Sequence, residues 1–299
     1  MTGSILSFVQ QLLAARLDTK AADFVRTIQQ EIQTSVADKR FTVLISLASR
    51  YIPRSTLNPS DAELAMAEQL LPGWSPASWT MLETVRVSFV LAHKDVAAAD
   101  FAERYNQWFI YADEGELCAY YRAIPLLPEP QRFVWRAAEG CRTNMRSIFM
   151  SVACDSPFPV KHFDELAWNQ LIVKALFTET PLWGVYGLDS RLSATLAIMV
   201  LDYMDERRSA GRSIPIDAWL CLGNYHDTRV DTAIAAALAG DLQQSCAAIL
   251  ALARAHNTSA LQQLHAHTLD SQRLALIQQA LTESVDQYAF QQLIQKYAA

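Results

Sequence analysis

With 299 residues, 51% of them apolar and only 19% charged, the chain can bury a sizeable core as one large domain or two modest ones. Its 25 basic and 31 acidic residues leave a net charge of −6, which argues against non-specific nucleic-acid binding, and no block of Lys or Arg marks an anionic membrane patch. Cys118, Cys141, Cys154, Cys221 and Cys246 lie far apart with no CxxC pair, the pattern of reduced thiols in a cytoplasmic protein.

Helical periodicity governs the chain from its start. Ile5, Phe8, Leu12 and Leu13 recur at helical spacing, Gln10 and Gln11 interrupt the apolar run, and no basic segment precedes it. The stretch reads as an amphipathic first helix, not a targeting segment. Phe41–Leu47 contains a few β-branched residues, but its flanks favour a helix over a strand. Breakers such as Pro53, Pro59, Pro72-Gly73, Pro125, Pro128, Pro157, Pro181, Pro215 and Gly223 then cut the chain into roughly fifteen segments of helix length. Met145, Ile148, Phe149, Val152 and Ala153 form one stripe, Leu192, Leu196, Met199, Val200 and Tyr203 a second, and Leu274, Ile277, Leu281 and Val285 a third. No run reaches the length of a membrane span, so direct membrane insertion is not expected. From Asp227 onward the composition turns to Ala, Leu and Gln, and DTAIAAALAGDLQQ and SCAAILALARAHN read as paired short helices. They suit either a HEAT-like stack or an ordinary helical tail. The expected protein is all-α, a body of antiparallel helices over residues 1–225 with a HEAT-like C-terminal region over 226–299 packed on it.

The segment Arg132–Phe177 carries the most specific chemistry. Gly140 is placed to end one helix as a C′ glycine, and Thr143 or Asn144 to cap the next. That sets Arg142 beside a helix N-terminus and Arg146 in its first turn, where cations oppose the macrodipole. The compensating charge is either an internal carboxylate such as Glu139, Asp155 or Asp164, or an anionic ligand gripped by backbone N–H groups and guanidinium forks. The following helix, Glu165–Phe177, is apolar on most sides and reads as central. Its polar residues Glu165, Asn169, Gln170 and Lys174 fall along one side, as a solvated strip or as part of a polar cleft shared with the arginine turn. The candidate ligand-binding set is therefore Glu139, Arg142, Thr143, Asn144, Arg146, Asn169, Gln170 and Lys174. The catalytic residues, if any exist, are unassigned.

Elsewhere the chain reads as structural. Asp202, Asp205 and Glu206 share a helix face, but Arg207, Arg208 and Arg212 follow at once, so a charge-balanced helix end is expected. His93, His162, His226, His256, His265 and His267 show no metal-ligand spacing, and neither a metal nor a cofactor is expected. The sequence lacks a nucleophile elbow, a P-loop and a dinucleotide fingerprint. Trp135, Trp168, Trp183, Tyr186 and Trp219 are assigned to packing.

The phrases RFVWRAAEGCRTNMRSIF, PLWGVYGLD and LDYMDERRSAGR, in this order and spacing, resemble the EboA family, most clearly from about residue 117 to 223. The resemblance covers Glu139, Arg142, Thr143, Asn144, Arg146, Asn169, Gln170, Lys174 and Asp189. It implies a bacterial gene cluster for secondary-metabolite synthesis or traffic, with a membrane prenyltransferase and a sugar-phosphate cyclase among the encoded enzymes and pigment-precursor export as an association. It thereby implies a cytoplasmic accessory protein that binds an anionic or polar pathway intermediate, or partner enzymes. An enzyme without a metal, acting on a cyclitol, prenyl or phosphorylated intermediate, is the first alternative, and a pure scaffold for the membrane prenyltransferase the second. Phosphorylated intermediates in such a pathway put the anion-site reading of Arg142 and Arg146 level with the internal ion pair.

Overall fold

A computed structural model of the protein describes residues 2–222, 225 and 227–298. Gly223 and His226, noted above as a breaker and as one of the histidines, lie outside the described residues. The described residues form seventeen α-helices joined by short 3-10 turns, with a single isolated bridge between Thr56 and Thr80 as their only β-type pairing. The fold class is all-α, as the periodicity predicts. No helix among the described residues is long and apolar enough to cross a membrane. The chain divides into two compact units, Met1–Asp164 and Glu165–Ala299.

The first unit holds α1 (Thr2–Ala14), α2 (Thr19–Thr34), α3 (Asp38–Leu47), α4 (Asp61–Leu70), α5 (Met81–Leu91), α6 (Phe101–Trp108), α7 (Glu114–Ala123), α8 (Val134–Cys141), α9 (Arg146–Ala153) and α10 (Phe158–His162). The stripe of α1 is buried at Ile5, Phe8, Val9, Leu12 and Leu13, and the Phe41–Leu47 stretch is helical. The central element is α5, on which every residue except Glu83 is buried and against which α1, α2 and α7 pack. Its start is defined by a capping box, in which Thr80 accepts the Glu83 N–H while the Glu83 carboxylate accepts the Thr80 N–H. The same device opens α4 with Ser60 and Glu63, and α7 with Asp113 and Glu116.

The second unit holds α11 (Glu165–Phe177), α12 (Ala194–Ser209), α13 (Thr228–Leu238), α14 (Leu242–Arg254), α15 (Thr258–His267), α16 (Ser271–Thr282) and α17 (Gln287–Tyr297). Its centre is α14, which is buried continuously from Ser245 to Leu252 and is flanked by α13, α15, α16 and α17. Small Ala residues let those helices approach it on several sides. The helix expected to be central, α11, is less enclosed: Leu166 and Phe177 are exposed. Its polar residues also part company, with Asn169 buried and Glu165 and Gln170 exposed. At 100° per residue Asn169 lies about 60° from Ile172 and is carried toward the packed side, Gln170 lies about 160° away and faces out, and Glu165 is exposed as the first residue of the helix. Trp168 and Trp219 are core residues, Trp183 and Tyr186 are half-buried, and Trp135 departs from its packing assignment by being 61% exposed.

Arg229 on α13 bonds both Asp202 and Asp205 at 2.8 Å, and Arg208 bonds Asp205 at 2.6 Å, which is the charge-balanced helix end expected there.

Candidate functional site

The arginine turn differs in detail from its expected geometry. Gly140 is not a C′ residue: it lies inside α8, whose C-cap is Arg142. Its requirement is steric. A Cβ at this position would stand 2.7 Å from the Tyr121 ring and 2.8 Å from Val152 Cγ2, so only glycine lets α8 approach α7 and α9 this closely. Arg142 consequently sits at the C-terminal end of α8, where a cation is favoured, and bonds Glu139 one turn back. Its side chain is 74% exposed. Thr143 accepts the Met145 N–H at 3.1 Å, but the N-cap of α9 is Met145, with no side-chain cap. The acid at the start of α9 is Glu114, bonded by the Ser147 hydroxyl, and Asp155 instead accepts the Ser78 hydroxyl at 2.7 Å. Arg146, the first residue of α9, is exposed, as is Asn144.

Of the eight candidate residues, Glu139, Arg142, Thr143, Asn144 and Arg146 belong to the first unit, and the structure pairs Glu139 with Arg142 there. Asn169, Gln170 and Lys174 belong to α11 in the second unit. Asn169 is 1% exposed and its Oδ1 has no hydrogen-bond partner, Gln170 is exposed, and Lys174 is half-buried. Among the described residues no group of three or more His, Cys, Asp or Glu is gathered as metal ligands.

A different site stands out in the first unit. A groove of about 420 Å³ runs between α3, the end of α6 and the start of α7. Its apolar rim is unusually open, with Val43 53%, Ile110 60% and Tyr111 95% exposed. Its wall is polar and buried, formed by Glu116, Trp108 and Tyr120. Glu116 completes the capping box of α7 through the Asp113 N–H at 3.1 Å, accepts the Ser46 hydroxyl at 2.6 Å, and lies 3.5 Å from Arg86. Arg86 projects from the central helix α5 and is 1% exposed, with Nε donating to the Ile45 carbonyl at 3.2 Å. Gly115 makes room for it, since a Cβ there would meet Arg86 Nη1 at 3.0 Å.

The unusual property of this region is a surplus of donors. Trp108 Nε1, the Tyr120 hydroxyl and His93 Nε2 are buried without a hydrogen-bond partner, while Arg86 Nη2 has the Glu116 carboxylate at 3.5 Å. His93 Nδ1 accepts the Asp95 N–H at 3.2 Å, so the proton of the neutral ring is on Nε2. Burial and the Arg104 charge lower its pKa and keep it neutral. The rings are in sequence, His93 to Trp108 at 5.5 Å and Trp108 to Tyr120 at 6.1 Å between centroids. A buried donor left without an acceptor costs about 1–3 kcal/mol, and burial also raises the Tyr120 pKa, which keeps its O–H protonated. These donors are closed off from solvent behind the wall; what the groove itself offers is the apolar rim of Val43, Ile110 and Tyr111 and the polar lining residues Lys39, Thr42 and Gln107, which suit a molecule with an apolar body and acceptor oxygens.

The groove is not visible in the sequence because its lining comes from residues 38–46 and 107–120, each with an ordinary helical pattern, and the buried Arg86 behind it from a third segment. The nearest signal was Arg86 inside the apolar run ETVRVSFVLAH, a charge where helical spacing demands burial.

No curated protein and no solved structure matches the chain. The family model of the metabolite traffic protein EboA matches residues 5–223, which include the whole groove and extend well before the region where the resemblance was clearest. The chain belongs to the EboA family.

Proposed function

We propose that this protein binds a small metabolite in the groove of its first unit, as a carrier or presenting protein rather than as a catalyst. The observation that carries the reading is an open groove with an exposed apolar rim at Val43, Ile110 and Tyr111 and hydrogen-bonding groups from Lys39, Thr42 and Gln107 in its lining. The ligand class is a compact molecule with an apolar or aromatic body and one or more acceptor oxygens. Membership in a metabolite traffic family supports a small-molecule role, and the groove lies wholly within the family match. The one buried carboxylate of the wall, Glu116, is committed to Ser46, to the Asp113 N–H and to Arg86, which supports binding over acid–base chemistry. A cytoplasmic accessory role beside the enzymes of a secondary-metabolite cluster fits such a carrier. A membrane prenyltransferase of that cluster is then a delivery partner.

The second reading keeps the ligand at the arginine turn, with Glu139, Arg142, Thr143, Asn144 and Arg146. It is favoured by Arg146 opening α9, where helix N–H groups and a guanidinium both attract an anion.

The test is native mass spectrometry of protein purified from a host that carries its pathway. A discrete added mass, lost in Tyr111→Asp and retained in Arg142→Glu/Arg146→Glu, is expected. Tyr111 is almost fully exposed, so its substitution leaves the fold intact. Loss only in the double arginine variant would move the site to the turn, and bare protein throughout would refute metabolite carriage.

A further inference from the structure

The loop that follows the central helix of the first unit is held by one buried ring. Helix α5 ends at Leu91, and His93, 1% exposed, comes just after its cap. Residues 94–100 then lead into α6 without a single buried side chain. The His93 ring packs on Phe41 of α3 at 5.2 Å and on Phe101 and Trp108 of α6 at 5.5 Å each. Its Nδ1 accepts the Asp95 N–H at 3.2 Å, and its Nε2 is sealed without a partner. The other side-chain tethers of the loop are only part-buried. Asp95 bonds Arg104 at 3.1 Å, Arg104 bonds Asp38 at 2.9 Å, and Arg132 donates to the Ala98 carbonyl at 2.8 Å.

This arrangement has no place for a second ring proton. On Nδ1 it would point at the Asp95 N–H, donor against donor, and it would bring a charge into a site closed to water. The charged groups facing the ring are Arg104 of α6, Asp38 of α3, and Lys94 and Asp95 of the loop. Burial is the largest influence on its titration. Arg104 and Lys94 add to it in disfavouring a cation, Asp95 and Asp38 oppose them, and the balance lowers the ring from its ordinary 6.5. A ring released into water escapes these constraints. Stability that the closed loop draws from the neutral ring is therefore present above 6.5 and is lost as pH falls below it. Local release is a smaller response than unfolding, because the loop has no other buried anchor to withdraw. Trp108, on which the ring packs, and Asp38, held by Arg104, both line the groove.

We propose that His93 is an acid-sensitive latch: protonation of its ring releases residues 94–100 from α3 and α6 and slackens one wall of the groove. The consequence for a bound metabolite rests on the carrier reading above, whereas the latch is a property of the ligand-free protein.

Hydrogen-exchange mass spectrometry of the full-length, ligand-free protein tests it, with protection factors corrected for the slower chemical exchange in acid. Protection of residues 94–100 is expected to fall roughly five- to twentyfold between about pH 7 and about pH 5, and the first turn of α3 to follow. His93→Asn keeps an oxygen that can accept the Asp95 N–H but does not titrate, and it leaves Asp38, Asp95 and Arg104 in place. Its smaller side chain leaves a void beside Phe41 and Trp108, so protection is lower throughout, but the dependence on pH disappears. An NMR titration of the wild-type histidine rings needs no variant: the His93 signal, identified by its Overhauser contacts with Trp108, is expected to titrate below 6.5. Equal protection of the wild-type loop at both pH values, an equal loss in His93→Asn, a first turn of α3 that does not respond, or a His93 ring that titrates at or above 6.5 overturns the proposal. None of these outcomes bears on whether the groove binds a metabolite, so failure here leaves that reading standing.

Discussion

Gly140→Ala offers a direct test of how the arginine turn is built. Inside an exposed helix this change stabilises by about 1 kcal/mol, because alanine restricts the unfolded chain and suits the helix. Here the new methyl would lie 2.7 Å from two atoms of the Tyr121 ring and 2.8 Å from Val152 Cγ2. Neither neighbour yields easily. Tyr121 is 6% exposed and packs edge-on against Phe109 at 4.9 Å, and Val152 is 4% exposed on the adjacent helix. Overpacking of this kind costs about 1–3 kcal/mol, with the rigid ring pushing toward the upper end. The propensity gain offsets part of it, leaving a net loss of about 1–2 kcal/mol, or roughly 2–8 °C in Tm for a unit of this size. Urea denaturation followed by circular dichroism measures the change. Two controls separate packing from backbone conformation. In a Val152→Ala background the penalty shrinks, since one of the clashing groups is gone. Gly140→Asn, which a left-handed C′ position tolerates, costs more than Gly140→Ala. A neutral or stabilising Gly140→Ala, or a harmless Gly140→Asn, would refute the steric account.

Burial raises the Asp217 pKa from 3.8 to about 6, against the opposing hydrogen bond from the Leu182 N–H at 2.7 Å. The native state thus holds this proton more tightly than the unfolded chain, so stability from this group is full below 3.8 and falls as pH rises through 6. Asp217→Asn keeps an acceptor for Leu182 and should stabilise at pH 8 by an amount on the order of 2–3 kcal/mol, while pH 4 stabilities converge; equal unfolding free energies at pH 8 would contradict it. Glu63 has the opposite sign, lowered from 4.5 to about 2 chiefly by its hydrogen bond with Arg16. Its contribution is present above 4.5 and lost as pH falls toward 2, and Arg16→Met should flatten that acid limb in a pH series of thermal melts. Tyr120→Phe removes a buried hydroxyl without a partner, so the protein should gain up to about 1 kcal/mol of stability in urea denaturation. A destabilised variant would show that the hydroxyl is satisfied.

The helical class, the amphipathic first helix and the stripes at Ile148–Val152 and Leu196–Tyr203 were legible in the sequence because they depend on spacing along one element. So was the family, which rests on long local phrases. Which helix occupies each centre was not legible. The expected central helix α11 leaves Leu166 and Phe177 in solvent, whereas α5 and α14, whose patterns are no more apolar, are enclosed on nearly every side. Burial depends on how many neighbours pack around an element, and that is a property of the assembled chain. Gly140 shows the same limit at one residue: a glycine before a polar break reads as a helix stop, but the Tyr121 ring and Val152 define its role. The groove is the furthest from the sequence. His93, Trp108 and Tyr120 are separated along the chain, and their unpaired donors become visible only when packing removes water from all of them in one region. The sequence by itself determined the helices and the family. Tertiary packing decided which polar groups lost their solvent and which apolar side chains kept it, and the candidate groove, being a property of three-dimensional neighbours, follows from that.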